Sequence, residues 1–214
     1  MSESLPGQIP IFPLFGIILL PNTILPLRIF EPRYLQMLKH SLKNDQVIGI
    51  IQPREMDEKE LYSIGCLGRI EHSKKQTNGN YMIRLQGEIR FRILREFKTE
   101  TLYRQVEVDY KAFAGDSQES LREKEMSLLY EAFKNYTARK TLQIEWEKLE
   151  KIPAHYLVNI LCMNLEFTPL EKQALLEAPS LDERHDQLIT LMKMAGWLKN
   201  SSTRPQSIRL SSTK

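Results

Sequence analysis

Five prolines constrain the N-terminal segment more than any other feature of the sequence. Residues 9–34 read IPIFPLFGIILLPNTILPLRIFEPRY, an apolar stretch with prolines at positions 10, 13, 21, 26 and 32. Proline donates no backbone hydrogen bond, and it is therefore excluded from helix interiors and central strands. We expect short edge strands and turns in this segment, followed by a helix that begins at Pro32 and runs to about Lys43.

The spacing of apolar residues along the sequence divides the rest of the chain into two parts. Between residues 46 and 112, alternating apolar side chains predict strands, with a hairpin turn at Asn78-Gly79 and a break at Gly87. Residues 118–199 carry helical stripes instead, with helix-start signals at Thr168 and Ser180. The patterns predict an α+β fold, in which about six strands and one helix form a strongly bent sheet or small barrel and about four helices follow.

This order of elements predicts four segments. They are a flexible N-terminus at residues 1–8, a β lobe at 9–116, a helical lobe at 117–199 and a disordered basic tail at 200–214.

Charge and cysteine usage narrow the class of protein. The net charge is +3, but residues 201–214 contribute three basic residues and no acid, so the remaining chain has 27 of each. A neutral body counts against nucleic-acid binding. The two cysteines, Cys66 and Cys162, predict a reduced, cytoplasmic protein. No apolar run reaches the roughly 18 residues of a membrane span, and the first residues lack the features of a signal peptide.

Three segments resemble the substrate-binding N-terminal domain of Lon proteases. The most specific is PIFPLFGIILLPNTILPLRIFEPRYLQML at residues 10–38, and the second combines IGCLGRIEH at 64–72 with NGNYMIRLQGEIRFRI at 78–93. A weaker likeness covers residues 168–192. The resemblance implies a PUA-like pseudo-barrel followed by a helical lobe, in a bacterial-type protein. It also implies recognition of unfolded or partly folded client segments through their exposed apolar stretches.

The sequence departs from a complete Lon protease after residue 199. It has no G-x-x-x-x-G-K-[ST] phosphate-binding loop, and its 214 residues leave no length for an ATPase or a peptidase. We therefore expect a stand-alone, non-catalytic recognition module without cofactor or metal, whether monomer or weak dimer. Two alternatives stay open: an adaptor dedicated to one protein partner, and an RNA-binding module of PUA-like fold.

Arg28, Glu31, Arg33 and Tyr34 form a polar cluster at the end of the proline-rich segment. In the structural interpretation, Glu31 pairs with an arginine and caps the helix at Pro32 while Tyr34 packs. In the functional interpretation, one arginine faces a groove between the lobes. There it would hold a peptide carbonyl or carboxylate by forked hydrogen bonds.

Two further sets of residues are candidates for partner binding. Phe15 and Ile17 lie in an apolar run that is either core or the border of an exposed patch, beside an edge that accepts an extended client. Arg90 alternates with Phe91 and belongs either to a solvated sheet face or to a basic binding face.

The sequence offers little for catalysis. None of the four histidines lies in an H-E-x-x-H motif, there is no Cys-x-x-Cys pair, and there is no G-x-S-x-G elbow. We expect no catalytic, cofactor-binding or metal-binding residue.

Overall fold

The computed structural model describes residues 5–116, 126–138 and 144–198, and within these ranges it contains six strands and six α-helices. The strands are β1 (Gln8–Pro13), β2 (Ile24–Ile29), β3 (Val47–Ile51), β4 (Ile64–Lys75), β5 (Tyr81–Phe97) and β6 (Gln105–Asp109). The helices are α1 (Pro32–Ser41), α2 (Met126–Ala138), α3 (Trp146–Leu149), α4 (Ala154–Asn164), α5 (Pro169–Glu177) and α6 (Leu181–Leu198). The predicted α+β architecture is confirmed, including the helix that begins at Pro32.

The chain divides into two compact units, and the division differs from the predicted one. The first unit combines Met1–Gln118 with Thr168–Glu177, and the second combines Glu119–Phe167 with Ala178–Lys214. The sequence pattern had assigned α5 to the helical lobe. Two hydrogen bonds instead attach α5 to strands of the first unit: Gln173 Nε2 donates to the carbonyl of Ile64 (3.1 Å), and Arg90 Nη1 donates to that of Leu176 (3.0 Å).

Five strands of the first unit close into a barrel. The sheet order is β2-β5-β4-β3-β1-β6, and an additional β5–β6 pairing joins the ends of a ring that excludes β2. Apolar side chains from the ring strands fill its interior: Ile9, Ile11, Val47, Ile51, Leu67, Phe91, Val106 and Val108. Closure gives β1 a parallel neighbour in β3 and an antiparallel one in β6. The expectation that β1 is an edge strand was therefore wrong.

The first half of β5 leaves the ring as the centre of a three-stranded extension. This extension consists of β2, residues 81–86 of β5 and residues 69–75 of β4. Its β4–β5 hairpin turns at Gly79, whose φ of 84° suits glycine, as the Asn78-Gly79 signal predicted.

The predicted strand break at Gly87 does not occur, because β5 runs through that position without interruption. The missing side chain serves a close backbone approach instead. A Cβ at this position would lie 2.1 Å from the carbonyl oxygen of Leu20, and the Gly87 N–H donates to the carbonyl of Thr23 (2.8 Å). Gly87 thus marks where β5 exchanges β2 for β6 as its neighbour.

The second unit is helical, and α2 and α4 both pack against α6. Apolar residues of α2 and α4 are buried, among them Leu129, Phe133 and Leu157. Leu128 of α2, next to Leu129, is 53% exposed. A small apolar cavity of about 20 Å³ lies between Phe133 and the residues of α4. At most one water molecule fits a space of this size.

Of the two chain ends, only the N-terminal one lies partly within the described residues. Pro6 and Gly7 were expected in a flexible N-terminus, but the Pro6 carbonyl accepts a hydrogen bond from Tyr110 Oη (2.8 Å), and that of Gly7 accepts one from the Val108 N–H (2.9 Å). The predicted basic tail at 200–214 lies outside the described residues.

Candidate functional site

Gln52, which directly follows β3, joins two segments of the first unit that are far apart in sequence. Its Oε1 accepts a hydrogen bond from the Gly16 backbone N–H (3.0 Å). Its Nε2 donates to the Pro169 carbonyl (3.1 Å) and to Oε1 of Gln173 (3.0 Å). Gln52 is fully buried. Because a buried amide requires its hydrogen bonds, these contacts fix the turn at Gly16 against the start of α5.

Three large apolar side chains are exposed on the two segments that Gln52 joins. Phe15 and Ile17 flank Gly16 and are 42% and 37% exposed, and Leu170 is 68% exposed. The segments touch, since Pro169 Cγ lies 3.7 Å from the position of a Cβ on Gly16. We call Phe15, Ile17 and Leu170 the apolar patch. Its two N-terminal members are exposed, as the functional interpretation of the sequence requires.

Arg33 and Tyr34 share Glu58 as a partner. Arg33 Nη1 and Nη2 donate to the two Glu58 carboxylate oxygens (2.8 and 3.2 Å), and Arg33 Nε donates to Glu31 (3.0 Å). Tyr34 Oη donates to Glu58 Oε2 (3.3 Å), and its ring packs on that of Phe12 at a centroid distance of 4.0 Å. Burial, together with the negative charge of Glu58, raises the pKa of Tyr34 above its usual value and keeps the hydroxyl a donor.

This geometry favours the structural interpretation of the Arg33 cluster. The fork of the guanidinium is already filled by Glu58, and Tyr34 is only 3% exposed. Glu31 precedes α1 as its N-cap residue, but its side chain makes no capping hydrogen bond. Its carboxylate binds Arg33 instead.

Arg28 is separate from this cluster. It lies on β2 opposite Met82 of β5, its side chain is exposed, and it makes no hydrogen bond or ion pair with a described residue. The sequence placed Arg28 and Arg33 in one candidate set, but of the two, only the guanidinium of Arg28 has no hydrogen bond or ion pair with a described residue.

Arg90 lies on neither a solvated sheet face nor an accessible binding face, and both expectations are corrected. Its side chain is 1% exposed because Asp116, Phe113 and α5 cover it. Its Nε and Nη2 donate to Asp116 (2.9 and 2.6 Å), and its backbone N–H donates to the same carboxylate (3.0 Å). Phe91, the next residue, points into the barrel. The predicted alternation of Arg90 and Phe91 is present, but the outer face of β5 is covered at Arg90.

Sequence reasoning missed Gln52, Glu58 and Leu170. Gln52 closes the apolar run QVIGIIQ, and a polar residue at the end of a buried strand was its only signal. Leu170 lies within the helix-start signal of α5. The capping box is formed, since the Glu171 N–H donates to Thr168 Oγ1 (3.3 Å) and the Thr168 N–H donates to Glu171 Oε2 (2.7 Å). The motif says nothing of the exposed leucine between them.

Comparison with known proteins identifies the domain. A family model for the ATP-dependent protease La (LON) substrate-binding domain matches residues 8–194. The chain belongs to this family. The resemblance seen in residues 10–38, 64–72 and 78–93 is thereby confirmed.

Individual relatives agree with this assignment. Lon protease 2 of Myxococcus xanthus is 29% identical over 205 residues, which are 89% of this chain and 24% of that protein. The chain therefore spans about a quarter of the length of the curated relatives that it matches. Two solved structures share the fold. The Lon N-terminal domain protein from Xanthomonas campestris has a TM-score of 0.63 at 24% identity, covering 86% of this chain and 97% of its own. The N-terminal domain of the Mycobacterium avium complex Lon protease has a TM-score of 0.65 at 18% identity, covering 87% and 98%.

The described residues also bear on metal binding and on membrane insertion. Among them, no three or more histidine, cysteine, aspartate or glutamate side chains are grouped so that they could hold a metal ion. In the same part of the chain, no helix has the length and apolar character needed to cross a membrane.

Proposed function

We propose that this LON domain acts as a non-catalytic recognition module that captures exposed apolar segments of other proteins on its apolar patch. Its family is defined by substrate binding. The observation that carries the proposed site is the exposure of Phe15, Ile17 and Leu170 on two segments that Gln52 holds together.

The energetics of the patch favour clients that offer apolar side chains in an extended or partly unfolded segment. Burial contributes about 25 cal/mol per Å² of apolar surface, against the cost of ordering both partners. The cost on this side is small, because the hydrogen bonds of Gln52 fix the backbone that carries the patch. A pre-organised surface of three side chains supports modest affinity for many sequences rather than high affinity for one.

Capture of this kind requires neither ATP hydrolysis nor peptide cleavage by the domain itself. We therefore propose that the domain can capture clients without attached ATPase or protease domains. A cytoplasmic location fits the same proposal, since Cys66 and Cys162 are both buried and neither forms a disulfide with a described residue.

Binding of an unfolded model protein tests the proposal. The probe is reduced, carboxymethylated and fluorescently labelled, and its anisotropy is followed as the full chain is added. Phe15→Asp is expected to weaken binding about tenfold or more, because it replaces apolar contact area with a charge that must be desolvated. Leu102→Asp is the matched control. Leu102 is also a large apolar side chain that is exposed (62%), but it lies outside the patch.

Both variants must unfold cooperatively at the wild-type midpoint before binding is compared. Equal affinities for the wild type and Phe15→Asp would refute capture at the patch. An equal loss in both variants would show nonspecific adhesion and would also count against it.

A further inference from the structure

The three-stranded extension is strongly basic, in contrast to the neutral body of the chain. Within residues 24–29, 69–75 and 81–86 there are five lysines and arginines and one acid. The basic residues are Arg28, Arg69, Lys74, Lys75 and Arg84, and the acid is Glu71. Only Arg69 has an ion-pair partner among the described residues, namely Glu88.

The strand register collects most of this charge on one face. Directly opposed residues in neighbouring strands share a face of the sheet. Two rows of three residues result, and all six are exposed: Arg28, Met82 and Lys74 in one row, and Pro26, Arg84 and His72 in the other. The irregularity in β4 between Ile70 and His72 removes Glu71 from the ladder, so no acid lies within either row.

The cations of this face have no partners within the part of the chain that the structure describes. The side chains of Arg28, Arg84 and Lys74 form no hydrogen bond or ion pair with any described residue. Three like charges on adjacent strands repel one another, and an acidic partner would relieve that repulsion.

The same extension also offers an open strand edge. In the described part of the chain, β2 pairs only with β5. The Gly87 N–H donates to Thr23, so the residues of β2 that bond to β5 are those at alternate positions from Thr23: Leu25, Leu27 and Ile29. The intervening residues therefore direct their backbone groups toward the open edge.

Pro26 is one of the residues that face the open edge. At this position its missing N–H interrupts no bond to β5, as is usual for a proline in an edge strand. The edge still offers the N–H groups of Ile24 and Arg28 and the neighbouring carbonyls. Pro26 restricts pairing to partners that tolerate one missing bond, which disfavours indiscriminate strand addition.

We propose that the open edge of β2 accepts an extended acidic protein segment as an additional strand. Carboxylates at alternate positions of the segment would lie on the basic face, beside Arg28 and within reach of Arg84 across the small ring of Pro26. The other side chains of the segment would contact Leu25 and Leu27, which are only half-buried on the opposite face. The partner that fits has alternating acidic and apolar residues.

A protein strand fits this surface better than a nucleic acid does. A nucleic acid offers no peptide backbone to the open edge and no side chains to Leu25 and Leu27. The two rows contain no phenylalanine, tyrosine or tryptophan for base stacking, since Tyr81 points to the opposite face, and Phe30 follows the end of β2. This surface is distinct from the apolar patch, so it can exist whether or not the patch captures clients.

Peptide binding to the full chain tests the proposal. The probe is a fluorescent octapeptide of alternating glutamate and valine, measured by anisotropy at low and moderate salt. The double variant Arg28→Glu/Arg84→Glu is expected to bind at least about tenfold more weakly, and added salt is expected to weaken wild-type binding. Lys98→Glu/Lys111→Glu is the matched control, because both lysines are exposed, lie outside the extension and give the same change in net charge. Phe15→Asp is expected to bind this peptide as the wild type does.

Two further probes test edge pairing and partner class. The same octapeptide with N-methylated amides at alternate residues is expected to lose binding, since it cannot pair along one edge. Full binding of the methylated peptide, equal binding of a lysine–valine octapeptide, or equal loss in both double variants would overturn the proposal. Tighter binding of a single-stranded oligonucleotide, abolished by Arg28→Glu/Arg84→Glu, would overturn it in favour of nucleic acid.

Discussion

Two arginines of the first unit use the same contacts in different surroundings. Arg90 donates its fork to Asp116 and lies over the Phe113 ring at 4.7 Å, and Arg33 donates its fork to Glu58 and lies over the Tyr34 ring at 4.4 Å. The side chains of the first pair are 1% and 2% exposed, and those of the second are 39% and 26% exposed. Bond geometry alone therefore does not rank the two pairs. Solvent access decides how much each contributes.

Breaking the buried pair is expected to lower the free energy of unfolding more than breaking the half-exposed pair does. Arg90 donates Nη1 to the carbonyl of Leu176 and its backbone N–H to Asp116, so one side chain links β5, α5 and the chain after the 3₁₀ turn at Lys111–Phe113. Removing one member leaves a charge without water or counterion, which is costly. Replacing both members with apolar groups is often neutral or stabilising. The half-exposed Arg33 can be rehydrated if it loses Glu58.

The largest effect is expected for Asp116→Ala. Loss of this carboxylate leaves Arg90 buried without its counterion, and the free energy of unfolding should fall by about 3–5 kcal/mol. Equilibrium denaturation in urea measures the change. The double variant Arg90→Met/Asp116→Leu should recover part of it, because no charge then remains to be desolvated, although the Arg90 backbone N–H and the Leu176 carbonyl lose these hydrogen bonds. A loss below about 1 kcal/mol in the single variant would contradict the assigned role of burial.

An intermediate effect is expected for Glu58→Gln. The amide keeps the size of the side chain but removes the carboxylate charge to which Nη1 and Nη2 of Arg33 both donate. A half-exposed pair contributes about 1 kcal/mol at most. Unfolding in urea should show a loss of roughly that size, and a double-mutant cycle with Arg33→Met isolates the pair. A coupling energy as large as that of Arg90 with Asp116 would remove the distinction between the two sites.

Sequence reasoning reached the parts of the fold that depend on neighbouring residues. Pro32 at a helix start, Gly79 in the hairpin and Thr168 in the capping box each act within a few positions, so the sequence shows them directly. The family resemblance supplied the overall architecture for the same reason, because its motifs are contiguous.

Contacts between distant residues were beyond this reasoning. Asp116 is 26 residues from Arg90, Glu58 is 25 from Arg33, and Pro169 is 117 from Gln52. Each pairing depends on ring closure or on the docking of α5, neither of which leaves a periodic signal. The same limit explains why β1 was taken for an edge strand and β2 was not singled out. Prolines occur in both, and only the pairing partners distinguish them.

The smallest effect is expected for Arg95→Ala, although its ion pair is the shortest of the three. Arg95 Nε lies 2.5 Å from Glu107 Oε2, but the two side chains are 67% and 39% exposed. Water and ions screen such a pair, and holding two long side chains in place costs entropy, so the free energy of unfolding should stay within about 0.5 kcal/mol of the wild type. If exposure decides the contribution, the ranking Asp116, Glu58, Arg95 follows burial and not distance, since the pair with the shortest contact ranks last. A large loss for Arg95→Ala, measured in the same urea titration, would show instead that the short contact itself carries the energy.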